Sequence, residues 1–112
     1  MGNKGDIKME EILNYNFAKE FTKTPGPRYK RLGDYSGEEF REVLKNLLKK
    51  YKKIEIDGTD IITSFNPSFL SEAFGKLAEE MGGSEKLFKR VKLFSRTNNK
   101  LEEKFRIYAE VN

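Results

Sequence analysis

The clearest alternation of hydrophobic and polar positions lies within residues 53–81 of the chain. Ile54 and Ile56 alternate with acidic residues, and this period of two predicts a short strand with one buried face. A polar loop over residues 58–65 follows the strand. Thr63, Ser64 and Ser68 therefore lie at a strand-to-helix turn whose helix N-terminus favours negative charge, which is consistent with a regulatory switch site and equally with a helix cap alone.

A helix is predicted directly after this loop. Asn66 can cap its first backbone N–H groups, and Pro67 suits the first helical position because it has no N–H to satisfy. Gly82-Gly83 predicts the end of the helix. The apolar stripe between these signals consists of Leu70, Ala73, Phe74, Leu77, Ala78 and Met81. Phe69 lies off this stripe, so we expect its side chain to be accessible to a partner.

Two strands are predicted in the N-terminal part of the chain. Alternating apolar residues favour a strand over residues 12–17, although residues 8–21 also fit helical spacing and leave a helix as the alternative. The residues of segment 24–27 are typical of a turn. Residues 27–31 then have the pattern of a second, short strand.

The remaining elements follow the same two periodicities. Ser36 and Glu39 have the spacing of a capping box, in which the hydroxyl caps the third helical N–H and the carboxylate reaches back. This box opens a helix whose apolar stripe covers residues 40–51. Residues 91–94 predict a last strand, and residues 101–109 predict a closing helix.

The predicted element order is β-β-α-β-α-β-α, which indicates an α/β fold. We expect a small mixed, mostly parallel β-sheet with about three helices packed against it. The length of 112 residues fits one domain, so we predict a flexible lead over residues 1–11 and a single domain over residues 12–112. No run approaches about 18 apolar residues, so we predict a cytoplasmic protein that does not enter a membrane.

Cysteine and histidine are both absent from the chain. Their absence excludes a thiol nucleophile, a disulfide, a zinc site of the Cys/His type and an imidazole general base. We therefore predict a non-catalytic protein with no catalytic residues, no metal and no cofactor. The weaker alternative is an enzyme that uses Asp57 and Asp60 as metal ligands.

The net charge of +4 is distributed unevenly. Residues 54–85 carry one lysine and seven acidic residues, whereas the cations concentrate in residues 45–53 and 86–106. Such an asymmetry can steer partners of either sign, although solvated helix faces also explain it. The basic segments 28–31 and 86–106 leave a nucleic-acid-associated protein, or an accessory protein of phage or defence systems, as the alternative function.

Three sequence blocks carry a resemblance to a known family. The blocks are residues 21–29 (FTKTPGPRY), 34–41 (DYSGEEFR) and 64–75 (SFNPSFLSEAFG). Together with the predicted element order, they resemble the STAS-like family, which comprises relatives of the sulfate transporter and anti-sigma-factor antagonist domains. The resemblance implies the same α/β fold and a regulatory role, with a protein partner such as a histidine-kinase-type ATPase.

The resemblance also implies where such a partner would bind. The wider antagonist family carries a phosphorylatable serine at the N-terminus of the helix that follows the central strand. In this chain Pro67 falls on that position, so Ser68 and Ser64 are the possible phosphoacceptors. The partner would contact the loop and helix over residues 64–80. The predicted partner-binding residues are Asn66, Ser68, Phe69 and Glu72.

Overall fold

A three-stranded parallel sheet forms one layer of the molecule. The computed structural model describes residues 9–111 of the chain. Strands β1 (Glu10–Asn16), β2 (Tyr51–Asp57) and β3 (Val91–Phe94) run parallel in the order β1-β2-β3. The prediction of an α/β fold with a mostly parallel sheet is therefore confirmed for the described residues.

Helices connect the strands. They are α1 (Phe17–Glu20), α2 (Gly37–Leu47), α3 (Pro67–Leu70), α4 (Lys76–Met81), α5 (Ser84–Phe88) and α6 (Lys100–Tyr108). A π-helical turn over Ser71–Gly75 joins α3 to α4, so residues 67–81 form one continuous helix, as the apolar stripe predicts. Gly82 ends this helix with a φ of 96°, a left-handed conformation that favours glycine. None of the helices among residues 9–111 has the length and apolar character needed to cross a bilayer.

The helices cover only one face of the sheet. Paired residues of neighbouring strands point to the same side, and the buried set consists of Tyr15, Ile54, Ile56, Val91 and Leu93. Residues of the opposite face, such as Asn14, Lys53 and Lys92, are exposed. The two-layer arrangement leaves this second face to solvent, which explains the strict alternation of the central strand.

Phenylalanine rings form the centre of the core. Phe17 is fully buried and lies 5.0 Å from Phe40, 4.8 Å from Phe65 and 6.0 Å from Phe69, measured between ring centroids. These residues come from α1, α2, the loop after β2 and α3. The aromatic cluster therefore fixes the loop that follows the central strand against the body of the domain.

The N-terminal part of the chain departs from the predictions in two ways. The predicted strand over residues 12–17 is present as β1, but Phe17 already belongs to α1, so the competing helical pattern is also partly correct. A flexible lead is predicted over residues 1–11. Its residues 1–8 lie outside the described part of the chain, whereas Glu10 and Glu11 belong to β1.

The predicted strand over residues 27–31 is wrong. Its backbone pairs with the start of α2 instead: the N–H groups of Gly37 and Glu38 donate to the carbonyls of Pro27 (2.9 Å) and Arg28 (3.0 Å). Residues Lys30–Leu32 form a 3₁₀ turn. Because the first N–H groups of a helix need outside acceptors, this segment completes the helix start and does not add a strand.

Tyr15 makes the stability of the fold sensitive to high pH. Burial and the nearby Glu20 carboxylate raise the pKa of Tyr15 from 10.0 to about 12. The stabilisation by the neutral Tyr15 phenol is fully present below pH 10 and is lost as pH rises toward the raised pKa. The loss arises because this phenol ionises at a lower pH in the unfolded chain than in the folded domain. Between pH 9 and pH 11 we expect the wild type to lose about 1 kcal/mol more unfolding free energy than Tyr15→Phe. Urea unfolding at both pH values measures this difference, and equal losses would contradict it.

Candidate functional site

The loop over residues 58–66, at the carboxyl end of β2, is held to the domain at several points. The N–H of Ile62 donates to the carbonyl of Lys23 (2.8 Å), and Lys104 Nζ donates to the carbonyl of Phe65 (2.5 Å). Phe65 itself is buried in the aromatic core. The loop is therefore preorganised, although most of its side chains face solvent.

Ile62 projects from this fixed loop into solvent. Its side chain is 72% exposed, the largest value among the exposed large hydrophobic residues of the described part of the chain. Thr63 and Ser64, which follow it, are also exposed. A rigid loop that presents an apolar side chain between hydroxyls has the features of a docking surface.

The predicted cap at the start of α3 is confirmed. Asn66 Oδ1 accepts a hydrogen bond from the N–H of Phe69 (2.8 Å), and Asn66 Nδ2 donates to the carbonyl of Gly26 (3.2 Å). Pro67 occupies the first helical position. Ser68 is partly exposed and Ser64 is exposed, and both belong to the segment that follows Ile62. Their assignment as phosphoacceptors stays a prediction.

A depression of about 410 Å³ lies beside this loop, between the carboxyl ends of β2 and β3. Its polar lining consists of Thr59, Thr63, Ser64, Ser95, Thr97, Asn98, Lys100 and Lys104. Gly58 forms part of its wall, where a Cβ atom would lie 2.9 Å from Leu101 Cδ2. The lining holds hydroxyls, an amide and two lysines, so the depression offers hydrogen-bonding groups and positive charge.

The prediction that Phe69 is accessible is wrong. Its side chain is fully buried, with its ring centroid 5.7 Å from that of Phe65 and 6.1 Å from that of Phe40. Helix 67–81 packs against α2 and also against α6, so it buries a wider face than its apolar stripe indicates. Gly37 of α2 allows the close approach, since a Cβ there would lie 2.6 Å from the Phe69 carbonyl oxygen.

Glu72 is also corrected as a partner-binding residue. It is only 3% exposed, and its carboxylate pairs with Arg41 (2.7 Å) and Arg28 (3.4 Å). Arg41 also donates to the backbone carbonyl of Glu72 (2.7 Å). A side chain with this burial holds the domain together and has no access to a partner surface, so Asn66 and Ser68 remain as predicted partner contacts.

The sequence blocks 21–29, 34–41 and 64–75 converge on this ion-pair cluster, which we call the Glu72 cluster. Arg28 comes from the first block, Arg41 from the second and Glu72 from the third. The N–H of Gly26 also donates to the carbonyl of Tyr35 (2.9 Å). The three blocks therefore share a structural role, which is to join the N-terminal segment, α2 and helix 67–81.

Asp57, at the end of β2, and Asp60, in the following loop, bind separate partners. Asp57 accepts hydrogen bonds from the N–H and the hydroxyl of Thr59 and pairs with Arg96 (3.2 Å). Asp60 accepts a hydrogen bond from the Asn16 amide (3.1 Å). Among residues 9–111, no three acidic, histidine or cysteine side chains come together as metal ligands.

The predicted basic segments make many contacts within the domain. Lys30 pairs with Glu42 (2.7 Å), and Arg31 lies over the ring of Tyr29 (5.2 Å to the centroid). In segment 86–106, the guanidinium of Arg106 lies 4.7 Å from the centroid of the Phe88 ring. These cations, together with Arg28 and Lys104, therefore make interactions within the domain.

Sequence reasoning missed three residues that shape the site. Arg41 belongs to the polar face of α2, Lys104 to the polar face of α6, and Ile62 is the exposed member of the Ile61-Ile62 pair in an otherwise polar loop. The partners of the two cations lie 31 and 39 residues away in the chain, and no local pattern reports such distances. The Ile61-Ile62 pair in a polar loop is a local signal, since two adjacent side chains point to different sides and only one of them packs against the core.

One comparison with known proteins gives a match. A family model described as a STAS-like domain of unknown function (DUF4325) matches residues 36–101, which is more than half of the chain. Comparisons with curated proteins and with solved structures give no match. The matched region begins at the capping box of α2 and includes the loop, helix 67–81 and β3.

Proposed function

This chain belongs to the family of STAS-like domains of unknown function, and we propose that it is a non-catalytic regulatory module that binds a protein partner. The binding surface comprises Ile62, Thr63, Ser64, Asn66 and Ser68, which we call the docking corner. The observation that carries the proposal is the 72% exposure of Ile62 on a loop fixed by backbone and side-chain hydrogen bonds.

The fixed loop favours binding over catalysis. A preorganised apolar contact loses little conformational entropy when a partner covers it, which raises affinity without any reacting group. The docking corner supplies hydroxyl and amide groups around Ile62, and these suit the polar rim of an interface. The resemblance to anti-sigma-factor antagonists supports a histidine-kinase-type ATPase as the partner, and a phosphate on Ser68 or Ser64 would add negative charge at this surface.

Replacing Ile62 by Asp tests the docking corner. We expect the partner affinity to fall at least about tenfold, because the substitution places a charge at the centre of the apolar contact. The domain should keep its stability, since the side chain is already in solvent. The measurement is a pull-down from the native cell followed by mass spectrometry, with affinity then measured for the captured protein.

Ile107→Asp is the matched control. Ile107 is 61% exposed on α6 and lies outside the docking corner, so this variant should bind the partner like the wild type. Ser68→Glu should weaken binding in the same direction as Ile62→Asp if phosphorylation regulates the surface. Equal binding by Ile62→Asp, Ile107→Asp and the wild type would reject the docking corner, and capture of a protein without an ATPase domain would reject the proposed partner class.

A further inference from the structure

The parallel sheet brings two distant runs of cations to its amino-terminal end. Residues 45–53 contain five lysines and no acidic residue, and residues 86–92 contain four cations and no acidic residue. The first run leads into β2 and the second into β3, which are neighbouring parallel strands. The two runs therefore meet at one end of the molecule, opposite the docking corner.

Backbone and side-chain hydrogen bonds fix this junction. The N–H of Ile54 donates to the carbonyl of Arg90 (2.7 Å). The Arg90 guanidinium donates to the carbonyls of Leu48 (2.8 Å), Tyr51 (2.9 Å) and Lys52 (3.0 Å). Arg90 thus ties the turn before β2 to the start of β3, and the lysines around it project from a rigid base.

Most of the surrounding lysines are exposed and carry their charge to solvent. We call Lys49, Lys50, Lys53, Lys89 and Lys92 the basal lysine patch; all five are exposed. Within residues 9–111, none of them forms an ion pair with a carboxylate, whereas Lys52 pairs with Glu11 (3.1 Å) and Lys45 with Glu80 (2.9 Å). Two carboxylates lie near the patch on the sheet side: Glu55, opposite Lys92 in the β2–β3 register, and Glu10, opposite Tyr51 in the β1–β2 register.

The side-chain composition of the patch selects among polyanions. Exposed large apolar residues of the described chain are Ile12, Leu32, Tyr35, Ile62 and Ile107. Only Ile12 borders the patch, opposite Lys53 in the β1–β2 register. A membrane surface binds several apolar anchors beside the cations, and single-stranded nucleic acid binds exposed aromatic rings. The patch offers one exposed apolar neighbour, Ile12, and the Phe94 ring, whose centroid lies 5.4 Å from Lys92 Nζ, is partly buried.

We infer that the basal lysine patch binds the phosphate backbone of double-stranded nucleic acid without sequence preference. Exposed lysines on a surface with few apolar and no exposed aromatic side chains give contacts to phosphates and release counterions from the duplex. Four such contacts predict an affinity that falls on the order of 100-fold between about 50 and 200 mM salt. The activity uses the end of the sheet opposite the docking corner and does not depend on the proposed partner.

The test is fluorescence anisotropy of a labelled 20-base-pair duplex with the full chain. We expect the double variant Lys53→Glu/Lys89→Glu to lose at least about tenfold in affinity at low salt, and its log–log salt slope to decrease by about two. The control Lys23→Glu/Lys76→Glu changes the net charge equally at exposed positions outside the patch and should keep most of the affinity. The Lys53→Glu/Lys89→Glu variant should bind the protein partner through the docking corner as before, since both substitutions lie at the opposite end of the sheet.

Three results would overturn the inference. They are the absence of duplex binding by the wild type at low salt, an equal loss in both double variants, and binding to anionic phosphatidylserine vesicles without binding to the duplex. Lysine acetylation of the wild type with and without duplex is a second measurement that needs no variant. Protection of Lys53 and Lys89 but not of Lys23 and Lys76 supports the patch, and uniform reactivity contradicts it.

Discussion

Replacing Glu72 by Ala should lower the free energy of unfolding by about 3 kcal/mol or more. The substitution removes the carboxylate that pairs with Arg41 and Arg28 and leaves the largely buried Arg41 guanidinium, whose side chain is 16% exposed, without its main partner. The Arg28 side chain is about one-third exposed, so solvent screens its ion pair with Glu72. Most of the loss in unfolding free energy therefore comes from the ion pair with Arg41. Urea unfolding gives the free energy, and for a domain of this size the melting temperature should fall by roughly 10 °C or more.

Glu79→Ala is the control for this result. Glu79 lies on the same helix and is exposed, so its removal should change the unfolding free energy by less than about 0.5 kcal/mol. If Glu72→Ala behaved like Glu79→Ala, the Glu72 cluster would contribute nothing to stability. The shared role of the three resembling blocks would then need another explanation, such as a direct contact with a partner.

Regular periodicity correctly predicted the elements whose structure depends on local sequence signals. The alternation at Ile54 and Ile56 identified the central strand, and the Asn66-Pro67 start with the Gly82-Gly83 end gave helix 67–81 almost to the residue. These signals are local, because caps and alternating burial depend on neighbours within one turn or one strand. The parallel order of the sheet followed from the alternation of strands and helices.

The predictions failed where a distant segment decides the structure. Residues 27–31 have a pattern typical of a strand, yet their carbonyls accept the first N–H groups of α2, and no sheet edge receives them. The capping box departs from its prediction locally: Ser36 caps the N–H of Glu39 as predicted, while the Glu39 carboxylate accepts from the N–H of the neighbouring Tyr35 (3.1 Å). Tertiary contacts override such patterns because each unpaired backbone group must find a partner.

The candidate site shows the same division between local and distant information. The cap by Asn66 and the exposure of Ser64 follow from the loop sequence. The burial of Phe69 does not, because it depends on a second helix packed across α3 at Gly37. Nothing in the local sequence requires a glycine in the first turn of α2. Gly37 is explained by the close packing of α2 against α3, which only the tertiary structure reveals.

Phe69→Ala should therefore destabilise the domain by about 3–5 kcal/mol, the cost typical of removing a buried phenylalanine ring. The ring fills the space between Phe17, Phe40 and Phe65 and is fully buried, so the substitution leaves a cavity that rigid neighbours cannot close. Urea unfolding measures the loss, with Ile107→Ala as an exposed apolar control that should change stability by less than about 0.5 kcal/mol. A Phe69→Ala variant with wild-type stability and weakened partner binding would instead place the ring on the surface. In that case the docking corner would extend along the start of α3, and Ile62 would be its edge and not its centre.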